Sequence, residues 1–201
     1  MMNFERIVLA AVESGAAKAT VIPQEQVVLS REFYDICKTN ACGNFGRCWM
    51  CPPDIGPIDE LMQRVRAYPH ALIYQTIGKL EDSFDIEGMQ AAARHHARVS
   101  QKMHAAVSPL VADGCFHLSC GGCNLCESCT RIENQPCRFP EKALVPMEGA
   151  GVDVYNTVKD TELKYINGQN TVTYFGMVLF EEKKNARIDS FAGRPAKTAA
   201  L

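Results

Sequence analysis

The sequence has no long hydrophobic run. Nowhere in its 201 residues do apolar side chains approach the roughly eighteen in succession that a membrane-spanning helix requires. It also lacks an excess of positive charge. The 21 Lys and Arg stand against 23 Asp and Glu, for a formal net charge of −2. No polyanion-binding surface is expected, and nucleic acid is set aside as a partner. The opening MMNFERIVLAAVESGAAKA has a short apolar run, but Glu5, Glu13 and the missing basic segment distinguish it from a secretory signal. A cytoplasmic location is therefore the expectation. Absent too are a GK[ST] phosphate loop, a G-x-S-x-G elbow and an H-E-x-x-H zinc helix. PMEGAG at 146–151 has glycines for a close backbone approach, but neither the G-x-G-x-x-G order nor a preceding strand. These absences argue against a self-contained nucleotide-using enzyme or a hydrolase.

Cysteine, by contrast, is abundant. All 10 cysteines fall in two islands, at 37–51 and 115–137. In a reducing compartment such thiols do not persist as structural disulfides, and clustering of this kind reads as metal ligation or redox chemistry.

The second island, CGGCNLCESCTRIENQPCRFP, places Cys123, Cys126 and Cys129 at a C-x2-C-x2-C spacing, followed by Cys137 three residues before Pro140. Ferredoxin-type clusters use such a run plus a more distant Cys beside a Pro. A two-residue gap lets the chain curl around a 4Fe-4S cube so that successive thiolates reach different irons. The intervening N–H groups then face the sulfides. The seven residues TRIENQP give the chain room to turn back with the fourth ligand. Zinc is the alternative, but structural zinc prefers two CxxC pairs set further apart. Cys120 complicates the set, since a ligand group starting from it is conceivable; the set ending in Cys137 is preferred, with Cys120 a neighbour. Cys115 reads as a small buried hydrophobe. Arg138 follows the last ligand and could neutralise cluster charge.

The first island carries Cys37, Cys42, Cys48 and Cys51 on a segment rich in Gly and Pro. Its spacing matches no single ferredoxin pattern. A second 4Fe-4S cluster, a zinc site and a redox-active Cys48–Cys51 dithiol all stay open. The dithiol lacks the usual βαβ context, and Pro52 blocks a helix behind it. Trp49 reads as a hydrophobic lid over the loop.

Around the islands the chain reads as α+β, a mixed sheet with helices packed on it. Loose helical periodicity covers 4–18. Short β-branched runs follow at 20–22 and 26–30, the first confined by Pro23 to an edge or a turn. A helix is predicted over 58–68 and a buried strand over 70–78. A long helix over 86–112 follows, with Pro109 kinking or restarting its last turn and Gly114 ending it. CFHLS is a short strand, one or two helices fall in 145–163, and TVTYFGMVLF at 171–180 is the clearest strand. If it lies at an edge, it supports a homo-oligomer. The domain spans 1–182, and residues 183–201, poor in apolar side chains, form a mobile or surface-lying tail. His95, His96 and His104 sit on the long helix beside Arg94 and Arg98. Adjacent histidines point about 100° apart on a helix and cannot share a metal, so a solvated face is expected. His117 is the one histidine placed to stand behind the ligands as a hydrogen-bond donor.

CGNFGRCWMCPP, followed by CNLCESCTRIENQPCRFPEKALVPMEGAGVDV at this separation, resembles a prokaryotic family known as predicted metal-binding proteins. The resemblance covers roughly residues 37–180. It implies metal binding through Cys123, Cys126, Cys129 and Cys137, and through Cys37, Cys42 and Cys51. Cys48 and Cys120 stand as departures from the family pattern. The first centre then has either three protein ligands and an open iron, or four. The leading expectation is an iron–sulfur protein with two 4Fe-4S clusters, serving electron transfer or as a redox accessory to a partner enzyme. The alternatives are an enzyme with an open-site cluster and a zinc-stabilised interaction module.

Overall fold

The run HALIYQTIGK forms β2 (His70–Lys79) and is apolar on both of its faces. Its place in the sheet is the reason. In the computed structural model, which describes residues 4–112 and 114–183, β2 lies between β1 (Lys18–Pro23) and β5 (Thr171–Phe180), antiparallel to both. Beyond β5 come β3 (Phe116–Ser119), antiparallel to it, and β4 (Val145–Pro146), parallel to β3. The result is one mixed five-stranded sheet in the order β1-β2-β5-β3-β4. The α+β reading therefore holds, and Pro23 ends an edge strand as expected. The edge position considered for TVTYFGMVLF does not hold: it is the middle strand, with partners on both sides. Most of the expected C-terminal tail lies outside the described residues.

Successive strand side chains point to opposite faces, so each strand feeds two cores. Ala71, Ile73, Phe175, Met177 and Leu179 enter one, and Leu72, Tyr74, Val178 and Phe180 the other. The first core is closed by α3 (Ile58–Arg66), through Ile58, Leu61, Met62 and Val65, and by residues around α5 (Val154–Val158). The second is closed by α1 (Phe4–Glu13) and α4 (Ile86–Val107). In α4 the buried Val99, Met103 and Val107 recur every fourth residue, one stripe of a helix on a sheet. Asp85 caps that helix by accepting from the Gly88 N–H at 2.7 Å. A 3-10 turn at Ser108–Leu110, carrying Pro109, restarts its end as expected.

Local structure differs in two places. The run at 26–30 is not a strand; only Leu29 bridges, to Val152, because Ser30 already caps a helix. That helix, α2 (Arg31–Lys38), was not anticipated, and it carries Cys37 in its last turn. The 145–163 segment holds one helix, the short α5, of the one or two expected, after β4 and a series of turns. Among the described residues no helix is long and apolar enough to cross a membrane.

The close pairing of β2 and β5 depends on Gly176. It sits opposite Tyr74, and a Cβ there would come within 2.2 Å of the tyrosine ring. Gly176→Ala is expected to destabilise the fold by about 1–3 kcal/mol through overpacking, lowering Tm by about 2–4 °C per kcal/mol. Thermal unfolding followed by circular dichroism measures this.

Candidate metal centre

The first cysteine loop leaves α2 and folds back on itself. Asn40, in the left-handed region at φ 55°, turns the chain, and its Oδ1 accepts from the Phe45 N–H at 3.0 Å. The Gly46 N–H donates to the Pro52 carbonyl at 2.9 Å, and the Cys51 N–H to the Cys48 carbonyl at 2.9 Å. This double reversal buries Cys48 and Cys51, at 2% and 6% exposure, and leaves Cys42 exposed.

The second loop closes through its spacer, much as the sequence predicts. A 3-10 turn spans Thr130–Glu133, and Asn134 follows it at φ 52°. The Thr130 hydroxyl donates to the Pro136 carbonyl at 2.9 Å, and Arg138 donates to the Ser128 carbonyl at 3.0 Å. Arg138 therefore ties the loop ends together, and Cys137 returns to the C-x2-C run.

Three contacts fasten the loops to each other. Trp49 donates its indole N–H to the Gln135 carbonyl at 2.9 Å. Arg131 pairs with Asp54 at 2.8 Å while its guanidinium lies 5.1 Å from the Trp49 ring centre. Gly122 lies so close to Asn44 that a Cβ would fall 2.7 Å from the amide nitrogen. The two islands are thus neighbours, and Trp49 is a clamp as much as a lid.

The thiols sort into two cavities, divided differently from the sequence order. Cys123, Cys126, Cys129 and Cys137 line one, and Cys48, from the first island, joins them. Cys37, Cys42 and Cys51 line the other, of about 250 Å³, together with Glu148. Cys48 stands at the seam. The Cys51 thiol hydrogen-bonds to it, which holds Cys48 below the ordinary thiol range and raises Cys51. Backbone N–H groups of Met50 and Cys123 also stabilise the Cys48 thiolate. Burial pushes Cys123 up to about 11, opposed by the Leu125 N–H, and burial followed by Cys42 raises Cys37. Burial raises these thiols in the absence of a cation, and a bound cation reverses the balance. Among the described residues no three His, Cys, Asp or Glu side chains converge on one point that suits a single metal ion. The five-thiol cavity encloses about 20 Å³ of free space.

Cys120 belongs to neither thiol cavity. It is half-buried, its loss of solvent pushes it up to about 12, and it lines a third pocket of about 370 Å³ beside α4 and β5. Cys115 packs partly buried against the second core, with its sulfur 3.8 Å from the Ser108 hydroxyl.

Of the helix histidines, His95 is exposed as expected, but the third pocket corrects the reading of His96. His96 is 1% exposed rather than solvated, and it lines the pocket wall. Its Nδ1 meets the Thr76 hydroxyl at 2.9 Å, while its Nε2 has no hydrogen-bond partner. Its spacing from Ala93, Val99 and Met103 continues the apolar stripe of α4, a signal that could have found it. Behind the pocket runs a buried polar chain. Ser119 and Ser100 meet at 3.3 Å, Tyr74 donates to Ser100 at 2.7 Å, and Tyr74 meets His117 Nε2 at 2.8 Å. His117 therefore stands behind the pocket rather than behind the thiols. Sequence reasoning passed over Glu148 because it sits in a turn with no periodic signal.

The family profile described as predicted metal-binding protein (DUF2284) matches residues 20–180 of this chain. The chain belongs to that family. The matched span runs from β1 to the end of β5 and takes in both cysteine loops. Neither the curated proteins nor the solved structures compared with the chain contain a match.

Burial pushes His117 down to about 3, with His104 adding to the effect, and His96 down to about 4. Each is neutral in the folded chain but takes up a proton when unfolded below its ordinary value of 6.5. Stability is therefore complete above that value and falls with acidification, by about 1.4 kcal/mol per pH unit per histidine. Denaturant unfolding between pH 7 and 4 is expected to show this slope, and His117→Gln to flatten it.

Proposed function

We propose that this family member is an iron–sulfur protein that holds two 4Fe-4S clusters and passes electrons to or from a partner protein. The observation that carries this reading is the pair of thiol-lined cavities, one holding Cys48 and the other Cys51, three residues on. The donor set favours it. Thiolates are soft ligands suited to iron–sulfur clusters, and backbone N–H groups aimed at Cys48 and Cys123 are the means by which proteins offset cluster charge. Cys123, Cys126, Cys129 and Cys137 would hold one cluster, and Cys37, Cys42 and Cys51 the other. Such clusters supply one-electron transfer.

The cavities differ in readiness. The first-island cavity has room for a cube. The second, at about 20 Å³, takes one only if the loop around Cys126 and Cys137 spreads. That loop faces outward: Cys126, Glu127, Ser128, Arg138 and Phe139 border an open surface depression. A redox partner would approach there, nearest to the second-island cluster. Cys48, at the seam, would stand between the two clusters, and its polarisable sulfur shortens the gap an electron must cross. Zinc remains the competing occupant of an all-thiol site.

The test is iron, acid-labile sulfide and zinc per chain after anaerobic purification, with EPR before and after dithionite. About eight irons and about eight sulfides with reducible signals are expected. Cys126→Ala should remove about half of each and leave the remaining signal in place. Zinc without sulfide would overturn the electron-transfer reading. Chelation of the metal is expected to lower Tm, since ligands that bind only the folded state stabilise it.

A further inference from the structure

The cavity of Cys37, Cys42 and Cys51 contains a fourth acidic group. Glu148 lines it, and no Lys, Arg or His does. Thiols and a carboxylate gathered on one wall repel one another as they ionise, and each raises the cost of charging the next. Cys37 and Glu148 are half-buried and Cys51 is buried, and anions drawn out of water are paired with cations or coordinate metals. Among the described residues Glu148 forms no ion pair, and the Gly121 N–H reaches its carboxylate Oε2 only over a long 3.4 Å.

Its backbone is nevertheless fixed. Gly151 donates to the Glu148 carbonyl at 3.1 Å, and Val152 donates to the Met147 carbonyl at 2.9 Å. The flanking Met147 and Ala150 are 1% and 0% exposed. A carboxylate on a fixed backbone beside Cys37, in the cavity that Cys42 and Cys51 also line and with no counter-charge there, has the placement of a ligand.

Glu148 also lines the 370 Å³ pocket, as do Gly121 and Gly122. These residues are the partition between the cavity and the pocket. On the pocket side the partition faces His96, whose buried Nε2 has no partner, and the Ser100 and Ser119 hydroxyls. These groups suit the oxygen atoms of a small molecule, while Leu144, Met147 and Phe175 cover its carbon skeleton.

We propose that Glu148 is the fourth ligand of the Cys37, Cys42 and Cys51 centre, a carboxylate position that the adjoining pocket leaves open to exchange with a small oxygen-donor molecule. The proposal rests on the reading that the first cavity holds a cluster. It makes that centre a ligand-binding one, whereas the five-thiol cavity has sulfur to spare. An oxygen donor holds iron less firmly than thiolate, so exchange occurs at this position and not at the cysteines.

The experiment uses the full chain with its clusters reconstituted anaerobically, read by Mössbauer spectroscopy and EPR. The wild type is expected to show one iron of the first centre distinct from the rest. Glu148→Ala should change that signal and speed the loss of this iron on mild oxidation. Glu148→Cys, which supplies a fourth thiolate, should make the irons alike. Acetate added to Glu148→Ala should restore the wild-type spectrum, and Ala97→Phe, which narrows the pocket, should block that rescue. A full complement of iron with spectra unaltered by Glu148→Ala or Glu148→Cys overturns the proposal and leaves the two-cluster reading standing. Failure of acetate to rescue overturns exchange through the pocket. A chain whose first island holds no iron overturns both readings together.

Discussion

Everything about the site depends on one join between distant parts of the chain. Trp49 reaches Gln135, and Arg131 reaches Asp54 while lying against the same tryptophan. Neither loop has regular structure enough to hold its thiols alone. The ion pair is half-sheltered, with side-chain exposures of 25% and 13%, so it is less screened than the surface pairs elsewhere on the molecule. With the join made, ten scattered cysteines become two groups on either side of a buried sulfur pair, plus two bystanders with separate surroundings.

Much of this was legible in the sequence. β2, β5, α3 and α4 announce themselves through apolar runs and repeating stripes, because each buries a long face against a neighbour. The turn-back of Cys137 follows from a spacer with Pro at its end. What was not legible is what depends on contacts between segments far apart in sequence. Cys48 and Cys51 are three residues apart, yet the reversal at Gly46 and Pro52 sends them to different cavities. No spacing rule encodes that choice. α2 is too short, and buries too little beyond Tyr34, for periodicity to reveal it. His96 was misread because adjacent histidines on a helix invite a solvent-facing reading. The stripe it shares with Val99 and Met103 places it inside.

The sheet explains why a pocket adjoins the thiols at all. β5 is central, so its Tyr174 reaches α4, donating to the Met89 carbonyl at 3.0 Å, while Phe175 turns to the other face, and β3 delivers the chain from the same sheet into the second loop. The pocket is the gap left where α4, β5 and that loop diverge. Glu148 reaches the partition because β4 pairs in parallel with β3 and brings the following turn alongside. A strand of two residues thereby sets the position of the carboxylate that lines the Cys37, Cys42 and Cys51 cavity.

The ties between the loops also span long stretches of chain. Asp54 and Arg131 are 77 residues apart, and Trp49 and Gln135 are 86 apart. Closing loops of that size costs conformational entropy, and contacts of such separation slow folding. The sheet reaches further still, since β2 pairs with β5 from Lys79–Thr171 to His70–Phe180. During synthesis, the first cysteine loop emerges long before its clamp exists, and its thiols stand open until the second loop arrives.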